Sequence, residues 1–189
     1  MRRFSFADID AAAALMRDGG VLAYPTEAVF GLGCDPYNVA AFERLFALKQ
    51  RPATQGVLLI AADFAQVERY IALEAVPAEI LRQAQASWPG PNTWIFPRSA
   101  QVPGWIAGSH SGVALRVTAH APAAALCRAF GGALVSTSAN PHGQAPARTA
   151  QAVEGFFGES LDGLLDAPLG GQASPTVIRD ALSGKIVRG

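Results

Sequence analysis

Apolar residues fall along this chain in two periods, and the period switches repeatedly. Between Ser5 and Asp18 they return every three or four positions, as on one face of a helix. Ser5 precedes that stretch with Asp8 three residues on, in the manner of a capping box, and Gly19-Gly20 ends it. Val21-Leu22-Ala23-Tyr24 is an unbroken apolar run, which predicts a buried strand. Pro25-Thr26-Glu27 breaks the run. Gly31-Leu32-Gly33-Cys34-Asp35-Pro36 then reads as a turn-rich loop whose glycines let backbone come close to a partner. Helical spacing resumes at Val39, Phe42, Leu45, Phe46 and Leu48 behind a capping Asn38. It stops at the Lys49-Gln50-Arg51-Pro52 corner, and Val57 to Ala61 is the next strand.

The alternation continues. Asp63 caps a helix carrying Phe64, Val67, Tyr70 and Ile71, and Pro77 opens another that runs to about Trp88. The turn Trp88-Pro89-Gly90-Pro91-Asn92 leads into a strand from Thr93 to Phe96, closed by Pro97. Residues Arg98 to Ser111 show no clear period and predict a long surface loop, a candidate lid. Gly112 to Val117 is a strand, and Pro122 to Phe130 is a helix stopped by Gly131-Gly132. Ala133-Leu134-Val135 is a strand that runs into Ser136-Thr137-Ser138-Ala139-Asn140, and Thr149 caps a helix to Phe157. Leu164-Leu165, Thr176-Val177-Ile178 and Lys185 to Gly189 are short late strands, with two or three antiparallel members expected among them. Strands alternating with helices over 189 residues predict an α/β fold: one domain, residues 1–189, with a twisted mixed sheet flanked by helices.

Composition changes this picture only by exclusion. Half of the residues are hydrophobic, 16% are charged and the formal net charge is zero. Nucleic-acid binding through bulk charge is thereby excluded, and only a local basic patch remains open. Cys34 and Cys127 form neither a disulfide framework nor a metal-ligand spacing, and read as buried thiols of a reducing compartment. The N-terminus lacks the apolar run of a signal peptide, and no stretch approaches the roughly 18 apolar residues of a membrane span. A cytoplasmic location is the expectation.

The chain contains no phosphate loop, no nucleophile elbow and no zinc-binding helix motif. His110, His120 and His142 stand at no ligand spacing and read as surface or rim residues. What remains is polar residues at strand ends. Lys49 and Arg51 lie between a helix and a strand, at a sheet edge where α/β folds bind ligands. A point charge beside a planar fork suits a polyanion, although the same pair also complements the negative end of a helix. Thr26 and Glu27 follow the first strand, Glu27 reading as a solvated or capping carboxylate. Thr93 starts a strand, Ser136 to Asn140 end one, and Ser174-Pro175-Thr176 precede another. Arg116, in an otherwise apolar strand, must find a partner or face a cleft. From these residues alone the reading is an α/β domain that binds a small anionic ligand at its strand ends.

The segments Pro25 to Pro36, Lys49-x-Arg51-Pro52, Trp88-Pro89-Gly90-Pro91-x-Thr93, Ala114-Leu115-Arg116-Val117 and Ser136-Thr137-Ser138-Ala139-Asn140, in this order, resemble the YrdC/TsaC family. The resemblance covers essentially the whole chain, and the Lys-x-Arg with a later Ser-x-Asn is its specific part. It implies a YrdC-like sheet with a concave ligand cavity, in the short bacterial form without an extra C-terminal domain. It also implies threonylcarbamoyl-AMP synthesis: L-threonine, bicarbonate and ATP give threonylcarbamoyl-AMP and diphosphate, for the threonylcarbamoyladenosine modification of tRNA. Carried across, Lys49 and Arg51 are the catalytic cations at the ATP phosphates. Ser138, Asn140 and Arg188 complete the ATP site, and Thr26, Arg116 and Ser136 line the threonine pocket. The resemblance implies no metal ligand and no tightly bound cofactor, with Mg²⁺ accompanying ATP as substrate. It implies tRNA or double-stranded RNA as a further partner, and hand-off of the product to a tRNA-modifying complex. The chain departs from the family pattern at Gln55, where many members have a second lysine, and at Ile60, where many have histidine. Two other readings stay open: a double-stranded RNA or tRNA-binding module, and a sugar-phosphate lyase, which requires an acidic metal site.

Overall fold

A computed structural model describes residues 1–50, 56–173 and 176–188. Among them one sheet contains β1 (Arg2–Phe4), β2 (Leu22–Pro25), β3 (Phe30–Gly33), β4 (Leu58–Ala61), β5 (Asn92–Pro97), β6 (Gly112–Val117), β7 (Leu134–Ser138), β8 (Gly163–Leu165), β9 (Val177–Asp180) and β10 (Ile186–Arg188). The spatial order is β1-β8-β2-β3-β7-β4-β6-β5-β9-β10, with parallel and antiparallel neighbours mixed. The helices are α1 (Ile9–Arg17), α2 (Val39–Lys49), α3 (Ala65–Glu68), α4 (Ala78–Ala86), α5 (Gly104–Ala107), α6 (Ala121–Phe130) and α7 (Ala150–Phe157). The α/β class and the mixed, helix-flanked sheet are those expected.

Local chemistry sets the helix ends. The Ser5 N–H and hydroxyl both donate to Asp8 Oδ2, at 2.9 and 2.6 Å, which closes the turn ahead of α1. Asn38 Oδ1 accepts from Ala41 N–H at 3.0 Å to start α2, and Thr149 does the same for α7 through Ala152 N–H at 3.1 Å. Gln50 ends α2 in the left-handed region at φ 51°, and Gly131 ends α6 at φ 92°.

The two faces of the sheet differ. Val135, Leu59, Leu115 and Trp94 stand side by side across β7, β4, β6 and β5, and join one core with α2, α3, α4 and α7. On the other face, Ile60 and Leu134 pack with Leu22 and Tyr24 beneath α1 and α6. Two residues along the same strands and on the same face come Leu58, Ser136 and Ala114, which line a cavity instead. The second face is thus part core and part open floor.

Several expectations need correction. Gly31-Leu32-Gly33 is no loop; it lies in β3, a buried strand of the β2–β3 hairpin. Its glycines serve close approach within the sheet. A Cβ on Gly33 would sit 2.4 Å from the Val135 carbonyl oxygen and 2.7 Å from the Tyr24 ring. Gly33→Ala is therefore expected to cost about 1–3 kcal/mol in a denaturant melt. Gly155→Ala, in α7 with open space around it, is expected to be neutral or stabilising by about 0.5–1 kcal/mol. The helix expected from Phe64 to Ile71 is only α3, because Ile71 bridges to Arg98 instead. Residues 98–111 are not a surface lid: they contain α5 and bury Val102, Ile106 and Ala107. Val57 N–H donates to Ile106 O at 2.9 Å, and Trp105 Nε1 donates to Pro36 O at 3.1 Å. One helical turn is too short to show a period. Among the late strands β9 and β10 pair antiparallel, giving the two antiparallel members expected, while β8 is parallel to β1 and β2 and β9 is parallel to β5 on its other side. β1 gave no signal, because two of its three residues are exposed arginines and only Phe4 is buried. Cys34 and Cys127 are buried as expected, and burial raises both thiols to about 12, far from reactive thiolate.

Candidate functional site

The cavity on the second face has a volume of about 540 Å³. Gly31, Ser138, Ser136, Leu58, Ala114 and Ile95 line it from β3, β7, β4, β6 and β5. The hairpin loop at Thr26, Ala28 and Val29 forms one wall, and residues 106–112 form another. β9 and β10 bring Ile178 and Arg188 to it. Gly31 keeps the floor low: a Cβ there would meet Ser136 Oγ at 3.4 Å and the Thr26 methyl at 3.5 Å.

Of the expected site residues, Thr26, Arg116, Ser136, Ser138 and Arg188 line this cavity, although they come from four separate segments. Lys49 and Asn140 do not line it. Arg51 lies outside the described residues, as do Gln55, Ser174 and Pro175. Lys49 is only 5% exposed. Its ammonium donates to the Ser138 carbonyl, to the Asn140 carbonyl at 2.9 Å and to Asn140 Oδ1 at 3.4 Å. His142 N–H donates in turn to Lys49 O at 2.9 Å. The end of α2 is therefore clasped to the segment leaving β7, which joins the Lys-x-Arg and Ser-x-Asn elements in space. Asn140 Nδ2 is spent within the same turn, donating to Gln144 O at 2.7 Å. Ile60, the departure from the family's histidine, is fully buried beside Arg116 in the sheet register.

Arg116 stands at the centre of a buried polar cluster. Its Nη1 donates to Thr176 Oγ1 at 3.2 Å, and Thr176 lies 3.3 Å from the Thr93 hydroxyl. Nη1 also stands 3.6 Å from Glu27 Oε2. Glu27 reads from sequence as a solvated or capping carboxylate; it is 5% exposed and is neither, because a guanidinium buried in an apolar strand requires a counter-charge. Thr118 Oγ1 donates to Glu27 Oε1 at 2.6 Å and accepts from His120 N–H at 3.1 Å. Glu27 Oε2, Arg116 Nε and His120 Nδ1 are buried without a hydrogen-bond partner.

The reading of the histidines as surface or rim residues holds for His142, which is exposed, and for His110, which is exposed and lines the cavity; it needs correction for His120, which is buried. His120 Nε2 lies 2.9 Å from the Pro168 carbonyl, which can only accept, so the proton sits on Nε2. Burial lowers the His120 pKa below its ordinary value of 6.5. The unfolded chain therefore takes up this proton first as pH falls. His120 contributes stability that is complete above about pH 6.5 and is lost on acidification toward its folded value. Thermal midpoints measured from about pH 8 down to about pH 5 are expected to fall, and His120→Gln is expected to flatten that fall.

The cavity combines one planar cationic fork, an exposed arginine at the rim, several hydroxyls and a glycine floor. Such a set holds carboxylate and phosphate oxygens and positions them, without an evident covalent nucleophile. Sequence patterning missed Thr118, and misread Glu27 as a solvated or capping carboxylate and the 106–112 wall as part of a surface loop. The available signal was Arg116 itself, whose burial demanded an acid nearby.

The Sua5/YciO/YrdC family model, described as "Telomere recombination", matches residues 14–189. A curated relative from Stenotrophomonas maltophilia is 52% identical over 95% of this chain and 97% of its own length. Another, from Halorhodospira halophila, is 56% identical over 94% of this chain and 92% of its own. Both are named threonylcarbamoyl-AMP synthase. The solved structure of P. abyssi Sua5 complexed with L-threonine superposes with a TM-score of 0.87 at 30% identity, covering 95% of this chain. This chain spans only 53% of that Sua5 chain. A family match over nearly all residues, together with full-length relatives above half identity, places the chain: it belongs to the Sua5/YciO/YrdC family.

Proposed function

We propose that this chain is a threonylcarbamoyl-AMP synthase acting on L-threonine, bicarbonate and ATP in the pathway to threonylcarbamoyladenosine in tRNA. The observation that carries this reading is Arg116. It is a guanidinium at the wall of a cavity large enough for a small-molecule substrate, with its Nε unpartnered. Arg116 takes the threonine carboxylate, while Thr26 and Ser136 flank the amino acid. Bicarbonate takes up a proton and loses water to give CO2, and the threonine amine adds to this CO2, losing a proton and forming a carbamate. A carbamate oxygen then attacks the α-phosphorus of ATP, and the bond to pyrophosphate breaks. Such a step needs alignment and charge neutralisation rather than a nucleophilic side chain. Ser138 and Arg188 hold the nucleotide, Lys49 keeps the Ser138–Asn140 segment against it, and Arg51 supplies the second cation of the corner. Mg²⁺ accompanies the nucleotide as part of the substrate.

Pyrophosphate release from ATP by the purified chain tests this, with and without L-threonine and bicarbonate. Release that requires both is the expected result. No release from the folded protein under any combination would defeat it and favour RNA binding, which predicts affinity falling steeply with salt.

A further inference from the structure

We propose that Glu27 is a positioning residue for Arg116, and that Thr118 holds Glu27 in that role. The cavity's carboxylate-binding fork is set from behind by a second carboxylate that does not meet the ligand. The inference deepens the reading of Arg116 as the partner of the threonine carboxylate and rests on it.

Arg116 lines the cavity and Glu27 does not. Glu27 therefore acts on a ligand only through Arg116. A buried guanidinium without a counter-charge is strongly unfavourable, and Glu27 is the acid set against it. The separation is the informative feature. At 3.6 Å the pair compensates charge without forming a hydrogen bond. A guanidinium carries five N–H donors in a fixed fork. One goes to Thr176, and Nε is left unpartnered. A carboxylate docked at bidentate distance would occupy the fork that a ligand needs. Glu27 neutralises the guanidinium without taking any of its donors in a hydrogen bond.

Glu27 is itself fixed on several sides. Thr118 donates to Oε1 at 2.6 Å, and the Glu27 carbonyl accepts from Gln172 N–H at 2.9 Å. Gly170 packs so closely that a Cβ on it would lie 2.8 Å from Glu27 Cα. Thr118 is oriented in turn by His120 N–H. A simple ion-pair staple would satisfy both partners. Here Glu27 Oε2 and Arg116 Nε both stay unsatisfied in the interior, which native structures rarely tolerate outside a functional site.

The test compares Glu27→Gln, Glu27→Asp and Thr118→Val with the unaltered chain in the pyrophosphate assay. It also follows the Nε–H signal of Arg116 by nitrogen-15 NMR, assigned by its absence in Arg116→Lys. Glu27→Gln keeps shape and removes charge; it is expected to raise the KM for threonine roughly tenfold or more, with the KM for ATP within about twofold. Glu27→Asp is expected to recover part of the loss. Thr118→Val removes no charge, so it serves if Glu27→Gln does not fold, and is expected to move the threonine KM in the same direction. The Arg116 Nε–H signal should shift or broaden in both. Equal changes in both KM values would mark a merely structural role and overturn the proposal. An unchanged threonine KM with an unchanged Nε–H signal in folded variants would also overturn it. If the unaltered chain shows no threonine-dependent release, the functional reading fails separately. The Nε–H signal then decides alone, and its constancy sinks the positioning role.

Discussion

Arg116→Ala is expected to raise the threonine concentration for half-maximal pyrophosphate release by about thirtyfold or more, with the ATP requirement within about threefold. Truncating one side of a desolvated charge pair typically costs about 2–5 kcal/mol of binding, and each 1.4 kcal/mol is about tenfold. Arg116 lines the cavity and is only 6% exposed, so a ligand carboxylate there meets a largely desolvated guanidinium. The alanine variant also strands Glu27 as an unpaired buried carboxylate, which costs about 3–5 kcal/mol of stability. Arg116→Lys separates the two effects. It keeps the charge that compensates Glu27 and loses the planar fork, so it should remain stable and still require more threonine. Steady-state kinetics in each substrate, with thermal melts of each variant, check this. Equal effects on threonine and ATP would place Arg116 elsewhere in the reaction.

Lys49→Met is expected to lower turnover on the order of a hundredfold and to lower the melting temperature as well. The methionine keeps the length of the stem and removes the ammonium. Ser138 O, Asn140 O and Asn140 Oδ1 then lose a donor. An interior acceptor left short of its partner costs about 1–3 kcal/mol, or very roughly 2–12 °C for a domain of this size. Typical stabilities of about 5–15 kcal/mol leave the variant folded. The loss of turnover follows from displacement of the Ser138 rim, of the size seen when one preorganised electrostatic contact is removed. A lower melting temperature with full turnover would make Lys49 a clasp and nothing more. Lost turnover with an unchanged melting temperature would mean that its ammonium belongs to the phosphates rather than to the carbonyls it holds here.

The two lysine outcomes show where sequence reasoning reached and where it stopped. A cation at the end of α2 was legible, because helix ends and strand starts announce themselves through caps and apolar runs. Its partners were not, since Ser138 and Asn140 lie about ninety positions away and only the pairing of β4 with β7 brings them near. Glu27 shows the same limit. Next to Pro25 and Thr26 it has the composition of an exposed turn. It is buried only because the β2–β3 hairpin folds its loop against the end of β6, where Arg116 and Thr118 wait. Residues 98–111 failed as a loop for another reason: a four-residue helix has no period to detect, so its burial is a tertiary fact.

Local patterning determined the alternation of strands and helices, the caps of α2 and α7, the burial of both thiols, and the segments at which polar residues leave the sheet. These depend on contacts between near neighbours, which composition and spacing record directly. Strand order, the parallel sense of β8 and β9, and the division of one sheet face into core and cavity floor were decided only in three dimensions. Leu58 and Ile60 share that face and differ only in what lies above them: α1 and α6 cover Ile60, and the cavity lies over Leu58. A strand's own residues specify which way each side chain points. What it points into depends on elements packed from elsewhere in the chain.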